Sequence, residues 1–133
     1  MPRVRNWDIA LADAMGAELA RPFEWGVADC ATLMATSVRA CLGDHPVLKE
    51  LRRYRTKRGA LRLLKTEGGL TAILERHFSP RAHAFAQTGD IGVVCNPDGS
   101  QAGVVVLDGV AVGKSETGVV RLPIRAVTAV FEV

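Results

Sequence analysis

The chain has 133 residues, 48% of them hydrophobic and 23% charged, with a formal net charge of +3. That length and mix suit one globular domain with its own core, and no stretch approaches the ~20 apolar residues of a membrane-spanning helix. Three cysteines without a CxxC pair and three scattered histidines argue against a zinc site, an HExxH centre or a disulfide framework, so no metal or cofactor is expected.

The N-terminal stretch MPRVRNWDIA lacks the apolar core of a secretory signal, which points to synthesis and folding in a cytoplasm. Asn6 is placed to cap a first helix whose apolar residues Trp7, Leu11, Ala14, Met15 and Leu19 share a face, and Pro22 ends it. PFEWGVA is a connector in which Gly26 is free to take an unusual backbone angle. Asp29 is the cap of a second helix running to about Leu42, with Gly43 as its stop. Cys30, Leu33, Met34, Ser37, Val38 and Cys41 lie on one broad, mostly apolar face of it, so this helix is expected to be central. Asp44 is a candidate cap for a short helix opened by Pro46. Two more short helices are predicted over 56–65 and 70–78, separated by Gly68-Gly69.

The second half changes character. DIGVVC (90–95) and AGVVVL (102–107) read as strands joined by the turn Asn96-Pro97-Asp98-Gly99. Asp108-Gly109 is a hairpin signal, and VAVG, VVRL and TAVFEV complete a small antiparallel set. Helices first and strands afterwards imply an α+β domain. The helical part covers about 1–80 and the sheet about 88–133. Cys41 and Cys95 are expected to be buried, as free cysteines commonly are.

Charge is uneven. Lys49, Arg52, Arg53, Arg55, Lys57, Arg58, Arg62 and Lys65 are opposed within their window by Glu50 alone. The plain reading is a solvated helical face. The sharper one is a docking surface, with Arg52, Arg53, Arg55 and Arg58 as its binding residues, for an acidic protein or a phosphate backbone. Tyr54 is the only aromatic in the run, which disfavours nucleic acid.

The order of parts carries a resemblance. An aromatic-x-Trp-Gly segment leads through Asp29-Cys30 into a central helix, a Gly-Asp heads a strand, and a polar-x-Gly-Val-Val strand follows. This resembles the NlpC-type papain-like cysteine peptidases, which cut peptide bonds in bacterial cell walls. More narrowly, RPFEWGVADC, GDHP, RYRTKRGALRLL and TGDIGVV resemble a compact family of uncharacterised phage and prophage proteins found among tail-tip genes. The resemblance implies a papain-like fold over 1–133, a place in the virion tail, and other tail-tip proteins as partners. Peptidoglycan is the substrate if catalysis survives.

Carried over residue by residue, the resemblance puts Cys30 at the nucleophile position after Asp29, and Asp90 at the strand-opening acid. The base position falls on Gln101, whose amide has no usable basic site. The third position, around Val110 to Val112, offers no polar side chain. His45 lies past the far end of the Cys30 helix, and His77 near the end of another helix, in a surface setting. His83, in a loop before the sheet, is the least excluded substitute base. Trp25 and Phe23 belong to the core or to the rim of the cleft. Asp98 and Gln101 lie near its mouth, as candidate ligands for a polar group or as plain loop residues.

Cys30 itself reads two ways. The first turn of a helix exposes amide hydrogens and partial positive charge, which lower a thiol's pKa and can hold an oxyanion. Asp29 opposes this with a negative charge, and no histidine is in place to take the proton. The preferred expectation is a tail component built on a degenerate peptidase fold, without catalysis. The alternative is an active peptidoglycan endopeptidase with Cys30 as nucleophile, and a third, weaker option is a nucleic-acid-binding module.

Overall fold

The structure, a computed structural model, describes residues 2–25, 27–52, 65, 68–97 and 99–133. Gly26, Arg53, Arg55, Arg58 and Asp98 lie outside the described residues, as does all but the last residue of the helix expected over 56–65.

The first helix, α1 (Trp7–Ala20), buries Leu11 and Met15, as its spacing predicts, and also Glu18. Asn6 stands at the cap position with φ of 60°, but its side chain makes no capping bond. The second helix, α2 (Cys30–Leu42), starts at a complete capping box. Thr32 N–H donates to Asp29 Oδ1 at 2.9 Å, and Asp29 N–H donates to Thr32 Oγ1 at 2.7 Å. Leu33, Met34, Ala35, Val38 and Cys41 have no solvent exposure, so α2 is central.

A short helix α3 (Val47–Leu51) follows. Asp44 does not cap it. The acceptor is His45 Nδ1, which takes the Val47 N–H at 3.1 Å, because a residue two positions before the first amide reaches it more directly than Asp44. The next described helix, α4 (Leu70–Glu75), stops three residues short of the predicted Phe78.

The described residues form six strands, all antiparallel: β1 (Pro80–Arg81), β2 (Ile91–Cys95), β3 (Gln101–Leu107), β4 (Val110–Ser115), β5 (Gly118–Pro123) and β6 (Ala129–Phe131). They form one open sheet in the order β1-β6-β2-β3-β4-β5. Asp108 and Gly109, with φ of 50° and 80°, make the tight β3–β4 hairpin that Asp-Gly predicts. The molecule is thus α+β, as its halves suggest.

The sheet divides the core in two. Ile91, Val93, Val105 and Phe131 face the helices, and the main core forms there. Val104, Ala111, Val127 and Val130 form a smaller cluster on the other face. Residues of opposite parity along β2, β3 and β6 fall in different clusters, as pleating requires.

Glycine sets how closely α2 meets the sheet. A Cβ on Gly103 of β3 would run into the Met34 side chain, 2.5 Å from its Sδ. The missing side chain lets the first half of α2 lie against β3.

Buried Asp90 ties the chain ends together. Its Oδ1 accepts the Val133 N–H at 3.1 Å and pairs with Arg3 at 3.4 Å; its Oδ2 accepts the Gln87 N–H at 2.9 Å and pairs with Arg81 at 3.5 Å. Arg3 also donates to Val133 O and Thr88 O, and its guanidinium lies 4.1 Å from the Trp7 ring centre. Among the described residues, no helix is long and apolar enough to cross a membrane.

Candidate functional site

The segment before α2 is held by its own backbone. Glu24 and Ala28 bridge, with Glu24 N–H donating to Ala28 O at 3.1 Å and Ala28 N–H to Glu24 O at 2.7 Å. Trp25 is half-buried against the main core, and Phe23 meets it edge to face at 5.0 Å. This packing fixes the approach to Asp29, which is fully buried, and so fixes Cys30 at the head of the helix.

Cys30 keeps some solvent exposure as a residue, yet protein surrounds its thiol closely enough that burial is the largest influence on it. Burial raises its pKa. The N–H of Gly103 pulls the other way, the Asp29 carboxylate raises it again, and the N–H groups of Cys30 and Ala31 lower it. The balance is a thiol held above its ordinary value, hence protonated at neutral pH. These N–H groups favour the thiolate, as donors that stabilise an anion do, but burial and Asp29 outweigh them.

Gln101 shares the helix-facing side of β3 with Gly103, but its side chain turns to α4. Its Oε1 accepts the Thr71 N–H at 3.2 Å, and its Nε2 donates to Thr71 Oγ1 at 3.3 Å. It thus satisfies an amide in the first turn of α4 that Gly69, without a side chain, leaves open. A Cβ on Gly69 would come within 2.8 Å of Gln101 Oε1, so glycine there makes room for this contact. At the third position, Ala111 and Val112 are buried in the sheet and Val110 is half-buried.

None of the three histidines reaches Cys30. His83 is exposed, and its Nε2 lies 2.6 Å from Val127 O, in the layer on the far face of the sheet. The sheet stands between it and α2. His45 follows the C-terminal end of α2, a helix of 13 residues, so it is on the order of 20 Å from Cys30 at ~1.5 Å per residue. His77 is not the surface residue its sequence neighbours suggest: its side chain is 18% exposed and hydrogen-bonded to Glu50. His45 stacks on Phe78 at 5.0 Å and meets His77 at 5.7 Å.

Sequence reasoning missed two things here. One is the pull of the Gly103 N–H on the Cys30 thiol, for which a glycine inside an apolar strand was the available signal. The other is Lys114 on β4, which is 6% exposed and donates to Glu18 O, the end of α1, at 2.5 Å. A lysine closing an apolar strand could have flagged it. Cys95 is exposed, against expectation, because the strand ends in a solvent-facing turn; Cys41 is buried as expected. Arg52 is exposed beside α3. Among the described residues, no three His, Cys, Asp or Glu side chains are grouped so as to hold a metal ion.

Residues 2–133 match the family described as Domain of unknown function (DUF6950), and the chain belongs to that family. No curated protein matches it.

Proposed function

We propose that this member of the DUF6950 family is a structural component of a phage tail tip, built on a papain-like, NlpC-type scaffold that has lost its catalysis. One observation carries the reading: the side chain at the base position, Gln101, is an amide bonded to Thr71, in place of an imidazole facing Cys30. Three others support it. A cysteine opens the central helix, that helix packs on an antiparallel sheet, and the third catalytic position is apolar. A protonated thiol that no histidine serves is a poor nucleophile, which supports docking as the scaffold's remaining use. The virion tail is then its place and other tail-tip proteins its partners.

The test has two parts. The chain should be found, by mass spectrometry, in purified tails of the phage that encodes it. The purified protein should leave bacterial sacculi intact. Its absence from tails sinks the structural reading.

A second reading, a peptidoglycan endopeptidase, draws on the amides of Gly103, Cys30 and Ala31 around the Cys30 sulfur. It requires an imidazole from a neighbouring chain. Clearing of sacculi that disappears in Cys30→Ala would establish it.

A further inference from the structure

At the opposite end of α2 from Cys30 lies an open groove of about 830 Å³, between the last turn of α2 and α3. Three exposed cations line it: Arg39 from α2, Lys49 from α3, and Arg52 just after it. Among the described residues none of the three enters an ion pair. Among the described residues, Asp44 is the one carboxylate in the lining. Pro46 and the largely buried Leu48 supply apolar surface between the charges.

We propose that this groove docks an acidic polypeptide segment, one that carries Asp or Glu side chains interspersed with apolar ones. The charges it offers are separated by Pro46 and Leu48, which matches a chain of mixed side chains better than a uniform anion. A nucleic-acid strand fits it poorly. Its phosphates would meet the Asp44 carboxylate, and among the described residues no Phe, Tyr or Trp lines the groove for a base to stack on. The His45 ring, which does line it, is already stacked on Phe78. The cationic character continues in sequence from Arg52 into Arg53, Arg55, Lys57 and Arg58. Because the groove and Cys30 sit at opposite ends of α2, this docking stands or falls separately from the loss of catalysis.

The test is fluorescence anisotropy with a labelled peptide of alternating Glu and Leu, at low and at moderate salt. The triple charge reversal Arg39→Glu/Lys49→Glu/Arg52→Glu is compared with Arg21→Glu/Arg121→Glu/Arg125→Glu, which makes the same change of net charge at exposed sites outside the groove's lining. All six are surface positions, and a thermal melt checks that both variants fold. The groove variant should bind at least ~10-fold more weakly than the wild type, and the control within ~2-fold, as losing three exposed charge pairs implies. Equal losses in both variants, or no peptide binding at all, overturn the proposal. So does tighter binding of an oligothymidylate carrying the same number of charges, which would assign the groove to nucleic acid.

Discussion

Gln101 and Thr71, thirty residues apart, hold each other by two hydrogen bonds, amide oxygen to backbone N–H and amide nitrogen to hydroxyl. Gln101, the residue that the resemblance puts at the base position, secures the start of α4. Replacing it should therefore act on stability and leave the thiol alone. Gln101→Ala is expected to cost about 1 kcal/mol in urea unfolding, the usual loss for a helix-start hydrogen bond. The rate at which Cys30 is alkylated should not change. A large change in that rate would mean that Gln101 does act on the sulfur.

The three cysteines differ in surroundings, and iodoacetamide with peptide mass spectrometry can follow each separately. Cys95, which is exposed, should label first, and Cys41, which is buried, last. Cys30 should show a titration midpoint above that of free cysteine in the same buffer, because burial and Asp29 both favour the thiol. A midpoint below free cysteine would restore the nucleophile.

Gly103 sets the distance between α2 and β3. Gly103→Ala pushes a methyl group into Met34 and should destabilise the protein by about 1–3 kcal/mol. In a Met34→Ala background the same change should cost less, because the clashing side chain is gone. Strictly additive costs in this cycle would place the strain elsewhere.

Asp90 is fully buried with two backbone N–H groups and two arginines around it. Asp90→Ala leaves those donors without their acceptor and should cost about 3 kcal/mol or more. Asp90→Asn keeps one oxygen and should fall between that and the wild type. Urea midpoints for the three proteins check the order.

Acid should weaken the fold in two stages. His45 is held below its ordinary pKa, by burial first and then by the neighbouring His77. Its neutral Nδ1 also takes the Val47 N–H. A depressed pKa means that the unfolded chain binds the proton first, so this stability is present above pH 6.5 and drains as pH falls below it. Burial pulls Glu50 upward, but hydrogen bonds from Arg76 and His77 and their charges leave it below its usual 4.5. Its contribution is therefore lost in a second stage below about that value. Urea midpoints across this range should show both declines, and His45→Gln should blunt only the first.

The division of the chain into helices and strands was legible in the residues themselves. Asp29 announces the start of α2, short apolar runs announce β2 and β3, and Asp108-Gly109 announces the β3–β4 hairpin. Each of these signals is local, acting over a few residues through capping, pleating or turn geometry. The strand β1 left no such signal, because two residues, Pro80 and Arg81, form a strand only when β6 is there to pair with them. Cys30 stood out from its place at a helix start. What surrounds its sulfur did not, since Gly103 reaches it across the packing of α2 on β3. The same holds for Gln101, whose partner Thr71 lies on another helix, and for His83, which the sheet places on its far face. Local chemistry names the elements, but which side chains meet depends on how those elements pack, and contacts between residues far apart in the chain come only from that packing.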